Sequence, residues 1–154
     1  MEMLRISVEQ AKAHLEEKFR QNRPAGILVT GTSMVPFLRH EKDHVQLVPP
    51  SGDFRVGQIL LFSMGDRLIL HRLRKKRDGN LVMNGDGQCH FEVIRPEQVV
   101  AVATHVIRRS GRVISCSSLG WWLLSALWYP TRPLRPRLLR LAAGLKSVYC
   151  KLRK

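Results

Sequence analysis

The residues best suited to chemistry lie in the segment VTGTSMVPFL, which spans residues 29–38. Gly31 permits a tight turn before Ser33, Met34 offers an apolar side chain to pack beneath it, and Pro36 fixes the exit. Such a turn can expose a hydroxyl and leave backbone N–H groups free for an oxyanion. A serine hydroxyl is a weak nucleophile until a base accepts its proton. The segment therefore predicts either a nucleophilic serine or a plain Gly-Thr-Ser turn, and the choice depends on a base.

This segment and the one after it resemble the signal peptidase I and SOS-repressor peptidase group. Residues 31–36 are similar to the group's nucleophile box, Gly-x-Ser-Met-x-Pro. Further elements occur in the group's order over most of residues 27–120, namely residues 43–48, 56–62, 70–73, 84–86 and 96–99. The chain departs from the pattern at Gln58, where the group usually has an acid, and at Ala101, where it has a glycine.

The base predicted to activate Ser33 is His71. The segment LHRL at residues 70–73 stands where the group has its base, and its His-Arg pair resembles the archaeal, endoplasmic-reticulum and sporulation-type signal peptidases. An imidazole with a pKa of about 6.5 accepts a proton at neutral pH, whereas a lysine must first be desolvated. Lys75 and Lys76 are the alternative base, although their charged surroundings indicate solvated side chains. A strand histidine without a catalytic role is the other interpretation of His71.

A third group should orient the imidazole. The resemblance implies Asp86, in the Gly-Asp turn, as the first candidate. Glu92 is the alternative, because it stands near the position of a second acid in the histidine-type relatives. Asp86 has a second interpretation as a turn residue that binds its own backbone. The resemblance also implies an oxyanion hole formed by the backbone N–H of Ser33 with help from Thr32, and a shallow apolar groove for small substrate side chains. It implies no metal and no nucleotide cofactor.

Two further patterns are set aside. Residues 40–44 spell H-E-x-x-H, the zinc-protease motif, which works on a helix where both histidines share a face. Here the motif closely follows Pro36 and runs into a β-rich segment, so we interpret it as a charged loop without zinc. Ala25-Gly26 resembles the bond that self-cleaving repressors cut, but it lies too near Ser33 to fold back into the site.

The elements that must position these residues are mainly β-strands. Short β-rich runs alternate with turn signals at residues 27–30, 45–48, 58–62, 68–73, 81–83, 99–107 and 112–116. Residues 7–20 predict an amphipathic helix with a capping box at Ser7 and Gln10. We therefore predict a mainly β fold. It is a single peptidase domain over residues 1–118, with an N-terminal helix and the coiled antiparallel sheets that the resemblance implies.

The C-terminal third carries most of the positive charge. The formal net charge is +14 over 154 residues, and after Glu97 the chain has eleven lysines or arginines and no acid. Residues 119–129 read LGWWLLSALWY, which is shorter than the about 20 residues of a membrane span. A basic amphipathic helix is predicted next, with an apolar stripe at Leu134, Leu138, Leu141, Leu145 and Val148. Residues 119–154 thus predict a tail that binds an anionic membrane surface rather than nucleic acid, or that packs on its own domain or a partner.

The sequence as a whole predicts a membrane-associated serine endopeptidase that cleaves a signal or leader peptide. The N-terminus lacks the apolar core of a signal peptide. Three cysteines without a pairing pattern (Cys89, Cys116 and Cys150) suggest reduced thiols. These features favour the cytoplasmic face and, as substrate, the leader of a small modified peptide. The alternative is a non-catalytic membrane adaptor with the same fold.

Overall fold

An eight-stranded antiparallel sheet organises the molecule. The structure, a computed structural model, describes residues 8–135, 137, 140 and 141. The strands are β1 (Ala25–Leu28), β2 (Asp43–Val48), β3 (Ile59–Met64), β4 (Arg67–Arg77), β5 (Asn80–Asn84), β6 (Glu92–Ile94), β7 (Val99–Arg108) and β8 (Val113–Ser115). The predicted mainly β fold is confirmed. Each predicted run overlaps or adjoins a strand, while β6 was not predicted.

Two helices flank the sheet. Helix α1 (Val8–Arg20) confirms the predicted N-terminal helix, although Ser7 of its capping box lies outside the described residues. Helix α2 (Leu119–Trp128) continues into a 3₁₀ turn, Tyr129–Leu134. Of the predicted amphipathic stripe, Leu138, Leu145 and Val148 lie outside the described residues, as does Cys150. Within the described residues, the helices fall short of the length and hydropathy that a membrane-spanning helix needs.

The strand order is β1-β2-β7-β3-β4-β5-β6, and β8 also pairs with β7. Tight turns join β3 to β4 and β4 to β5. Asp78 and Gly79 both have positive φ angles, of 51° and 76°, as the two central residues of a type I′ hairpin turn do. The resulting register places Leu60 of β3 opposite His71, and Asn84 of β5 opposite Arg72.

Strand β3 is apolar because both of its faces are buried. Leu61 belongs to one buried cluster, which also contains Met34 and Trp121. Leu60 and Phe62 point to the other face and belong to a second cluster. The nucleophile candidate therefore stands over the first cluster, and helix α2 closes the same cluster from another side.

Helix α2 packs on the β domain through one face. Trp121 is 5% exposed and meets the ring of Phe37 edge-on, with centroids 5.3 Å apart. Much of the remaining helix surface is apolar and exposed, and it consists of Leu119, Trp122, Leu123, Leu124 and Leu127. Part of the predicted tail is thus attached to the domain, with a second apolar face left uncovered by the described residues.

Candidate active site

Ser33 lies in the turn between β1 and β2. Gly31 has a φ of +85°, which favours glycine, and its N–H donates to Nδ1 of His40 at 2.9 Å. Ser33 is half-buried, while the next residue, Met34, is 2% exposed and anchors the turn in the core. The Ser33 carbonyl accepts a hydrogen bond from Gly87 at 2.8 Å. Among the described residues, no hydrogen bond uses the Ser33 N–H, so this donor is free to bind an oxyanion.

His71 is buried on β4. Its Nδ1 lies 3.0 Å from Oε2 of Glu92, and its ring meets Phe62 edge-on at 6.1 Å. Burial lowers the pKa of His71 below the ordinary value, and the Glu92 carboxylate partly offsets that effect. A carboxylate can only accept, so Nδ1 carries the proton and Nε2 is left as an acceptor. The imidazole is therefore neutral at neutral pH and ready to take a proton at Nε2.

Gly85 is the point where Ser33 and His71 meet the same piece of backbone. A Cβ at this position would lie 2.6 Å from the Ser33 carbonyl oxygen and 2.9 Å from His71 Nε2. No real Cβ tolerates either distance, so the close approach depends on glycine. Ser33, His71 and Glu92 also line one cavity of about 780 Å³. The Ser33 backbone and the His71 ring thus lie near one another at the cavity wall, and no hydrogen bond joins the Ser33 hydroxyl to the imidazole within the described residues.

Glu92 is the acid that contacts the imidazole. Its side chain is 12% exposed, and its two carboxylate oxygens face two histidines, His71 and His90. The second contact, from Oε1 to Nε2 of His90, measures 3.2 Å. Because Nδ1–H of His71 points at this carboxylate, Glu92 fixes both the tautomer and the orientation of the ring.

Asp86, the first candidate for that role, lies elsewhere. Its buried carboxylate accepts hydrogen bonds from Nη2 of Arg72 at 2.8 Å and Nη2 of Arg74 at 2.7 Å. Asp86 binds these two arginines and makes no hydrogen bond to the imidazole within the described residues. These contacts join the Asp86 carboxylate to two arginines of β4, and Glu92 replaces it as the candidate orienting group.

The remaining candidates are peripheral. Thr32 is exposed in the turn beside Ser33, and its carbonyl accepts from the Val35 N–H at 3.2 Å. Lys75 and Lys76 are exposed at the far end of β4, and neither lines the cavity. The H-E-x-x-H residues begin in a turn and end in β2, not on a helix. The described residues contain no cluster of three metal-ligating side chains.

The cavity beside Ser33 lies between β1 and β4. Apolar side chains from β1, β4 and the serine turn line it, namely Ile27, Val29, Met34, Leu68 and Leu70. Strand β1 begins the strand order, and residues 67–70 of β4 pair with β3 alone within the described part of the chain. Both strands therefore offer unpaired backbone groups, with which an extended peptide could form a ladder.

A second cavity, of about 820 Å³, contains neither Ser33 nor His71. Its titratable groups include the thiol of Cys116, whose pKa burial raises to about 11. A thiol with that pKa stays protonated at neutral pH and is a poor nucleophile. The cavity that Ser33 and His71 line is therefore the stronger candidate site.

No protein-family model and no curated protein matches the chain. The resemblance to signal peptidase I thus rests on the ordered motifs alone. In the structure, the two motif residues Ser33 and His71 line one cavity, although 38 positions separate them in the sequence.

Several residues of the site were not predicted from the sequence. Gln88 and His90 line the cavity, and Gly85 makes the close approach. The Gly-Asp-Gly run at residues 85–87 is a signal that could have indicated close backbone contact. Trp128 and Arg135, in the C-terminal segment, also contact this turn. The sequence around them is apolar and basic, and it does not indicate a contact with the turn.

Proposed function

We propose that this protein is a serine endopeptidase resembling signal peptidase I of the Ser-His type. The observation that carries the proposal is the state of His71, whose Nδ1 is held by Glu92 while its Nε2 and the Ser33 carbonyl oxygen both face Gly85. The finer fold assignment, a coiled antiparallel β domain of the signal peptidase and SOS-repressor peptidase group, is part of the same proposal.

The mechanism follows from the positions of these groups. Ser33 Oγ attacks the scissile carbonyl, and Nε2 of His71 takes the hydroxyl proton. The free N–H of Ser33, with Thr32, stabilises the oxyanion. His71 then gives the proton to the leaving amine, and a water molecule hydrolyses the acyl-enzyme by the same route. Glu92 stabilises the imidazolium that forms in each step. The chemistry needs no metal or nucleotide cofactor.

The substrate proposed is an extended signal or leader peptide. The apolar groove and the unpaired edges of β1 and β4 suit a segment that binds as an added strand. Small side chains before the scissile bond are the preference that the family resemblance implies. The leader of a small modified peptide is the favoured substrate.

An anionic membrane surface is the proposed partner. The exposed apolar face of α2 includes Trp122 at 53% and Leu127 at 73% exposure, and an acid-free, basic segment surrounds it in sequence. A tryptophan-rich apolar face beside basic residues suits the headgroup layer. We favour the cytoplasmic face. Protease digestion of sealed cells tests this, since external protease that removes the domain would refute it.

The first test of the peptidase uses a fluorophosphonate probe and the variant Ser33→Ala. Wild type should be labelled at Ser33, and the variant should not be labelled. In cells, protein N-termini that disappear in the Ser33→Ala strain would identify the substrate. Absence of labelling together with identical N-termini, in a folded variant, would exclude a peptidase.

A second candidate function is a non-catalytic membrane adaptor. The uncovered apolar face of α2 favours it, because such a face needs a partner whether or not Ser33 reacts. An adaptor should tolerate Ser33→Ala in cells and lose function when Leu138 and Leu141 are changed to charged residues. A peptidase should lose its function in cells with Ser33→Ala.

A further inference from the structure

The C-terminal segment reaches back to the active site. Two segments are involved, the active-site turn (residues 84–91) and the clamp (residues 128–135). Hydrogen bonds and a cation–ring contact join them, and the clamp side of these contacts comes from Trp128, Arg132 and Arg135. The predicted membrane tail is thus in direct contact with the segment that leads into Glu92.

The inner contacts of the clamp are made mostly to backbone groups of the turn. Nε1 of Trp128 donates to the carbonyl of Asp86 at 2.6 Å. Nη1 of Arg135 donates to Oδ1 of Asn84 at 2.8 Å and to the carbonyl of Gln88 at 2.7 Å. The same nitrogen lies 3.3 Å from the carbonyl of Gly85. These donors bind both ends of the short loop that passes Ser33 and His71.

The outer contacts hold the rest of the turn. The guanidinium of Arg132 lies 4.2 Å from the ring centroid of Phe91, and the Arg132 carbonyl accepts from Sγ of Cys89 at 3.1 Å. The ring of Tyr129 faces the guanidinium of Arg74, 4.7 Å away, which itself binds Asp86. The clamp therefore contacts the turn along its length and not at one point.

Arg135 is unusual because it is a fully buried cation, with 0% exposure. Within the described residues its hydrogen bonds go to amide and carbonyl oxygens rather than to a carboxylate. Burial lowers the pKa of Arg135, and Asp86 partly offsets that effect. Burying a guanidinium is costly unless its donors are satisfied, and Nε of Arg135 has no hydrogen-bond partner among the described residues. The gain here is a fixed geometry for the turn.

That geometry is what the reaction needs. Gly85 keeps its backbone against Nε2 of His71, and the N–H of Gly87 holds the Ser33 carbonyl at 2.8 Å. Glu92 begins the strand directly after the turn. A displacement of the turn would change the approach of Ser33 to His71 and the contact of Glu92 in the same movement.

We propose that Trp128 and Arg135 are positioning residues, through which the C-terminal segment holds Ser33, His71 and Glu92 in reactive geometry. The inference rests on the proposed peptidase function. The apolar wall of the groove belongs largely to β1 and β4, and neither Trp128 nor Arg135 lines that cavity. Loss of the clamp therefore lowers the rate of the chemical step and leaves substrate affinity almost unchanged.

The experiment uses the full chain with Trp128→Phe and Arg135→Met. The first change removes one donor and keeps an aromatic ring, and the second removes the cation and keeps much of its length. The maximum rate of fluorophosphonate labelling, kinact, should fall by about 10- to 100-fold, as expected for a small misplacement of reacting groups. KI should stay within about twofold, and Arg135→Lys, which keeps the charge, should recover part of the rate.

The matched control is Leu15→Ala, which creates a cavity under α1 far along the chain from the turn. It should lower the stability to denaturant while kinact remains that of wild type. If Leu15→Ala lowers kinact as much as the clamp variants at equal stability, the clamp has a merely structural role and the proposal is overturned. Wild-type kinact in both clamp variants would overturn it as well.

The nitrogen resonances of His71 separate this proposal from the peptidase proposal. In wild type the Nδ1–H should give a hydrogen-bonded signal, which Glu92→Gln shifts. Trp128→Phe and Arg135→Met should shift the same signal whether or not Ser33 reacts. An unlabelled wild type, together with N-termini that are identical in the Ser33→Ala strain, would refute the peptidase and not the positioning role. Unchanged His71 signals in both clamp variants would refute the positioning role.

Discussion

Nδ1 of His71 lies 3.0 Å from Oε2 of Glu92, although β5 separates their strands in the sheet. The contact is possible because β5 ends at Asn84, opposite Arg72, one residue after His71. Beyond that point the sheet is open between β4 and β6, and Glu92 reaches across the gap. The length of β5 and the course of the active-site turn therefore decide which acid meets the imidazole.

Glu92→Gln should slow the reaction while it leaves the fold intact. The amide keeps the size of the side chain but removes the charge that stabilises the imidazolium, so we expect a fall in kcat of about 100-fold. Glu92 also raises the pKa of His71 against the lowering effect of burial. Its neutral replacement should move the midpoint of the pH–rate profile to lower pH. An unchanged plateau and midpoint would show that Glu92 does not orient the base.

The wild-type pH profile identifies the base. Burial lowers the pKa of His71, and a base is active when it is unprotonated. The labelling rate of Ser33 should therefore rise at a pH below about 6.5, the pKa of a free imidazole, and be level at neutral pH. A rate that rises only above about pH 8 would point to a lysine such as Lys75 or Lys76 and would exclude His71.

The local elements could be predicted from the sequence, whereas most of the long-range contacts could not. The hairpin at Asp78-Gly79 is visible because two residues determine its geometry. The Ser33–His71 pairing came from the order of motifs. Strand β6 has three residues, which is too few to show a hydrophobic period. The sequence therefore did not predict the strand that positions Glu92. Arg135 lies in a basic stretch that resembles a solvated face, and its burial depends on oxygen atoms of Asn84 and Gln88, which lie far away in sequence.

Asp86→Asn should reduce stability much more than it reduces reactivity. The change leaves Arg72, 1% exposed, and Arg74 without their shared carboxylate. Breaking a buried ion pair from one side typically costs about 3–5 kcal/mol. We expect a loss of that order in the free energy of unfolding by guanidinium chloride. Asp53→Asn is the matched control, because its pair with Lys76 is exposed and should contribute nothing measurable.

The Asp86→Asn and Glu92→Gln variants could also give the opposite result. If Asp86→Asn abolished labelling at full stability, and Glu92→Gln were silent, the orienting role would return to Asp86. Measurement of both variants at one pH, with unfolding curves for each, distinguishes the two assignments.

Gly85→Ala should slow the labelling of Ser33 through a single methyl group. The new Cβ would stand 2.6 Å from the Ser33 carbonyl oxygen and 2.9 Å from His71 Nε2, and the first of these is a backbone atom that cannot swing aside. The turn must therefore move away, and the labelling rate should fall by about 100-fold. Gly26→Ala is the control, because its Cβ would meet nothing within 4 Å. If Gly85→Ala is labelled at the wild-type rate, the reaction of Ser33 does not depend on the close approach of Ser33 and His71 at Gly85.

The exposed face of α2 should determine membrane binding independently of the chemistry. Leu124 and Leu127 are 60% and 73% exposed, so Leu124→Glu with Leu127→Glu places two charges on the exposed part of α2. We expect the double variant to sediment at least about tenfold less with anionic phospholipid vesicles, since burial of each leucine contributes about 1.5–3 kcal/mol. Its labelling at Ser33 in solution should remain that of wild type.

Val93→Glu provides the control for that experiment, because it charges an exposed apolar residue on β6 rather than on α2. It should leave vesicle binding close to wild type. If the double variant sediments as wild type does, the apolar face of α2 meets a protein partner and not a bilayer. If high salt alone abolishes the binding of wild type, the attraction comes from the basic residues and not from these leucines.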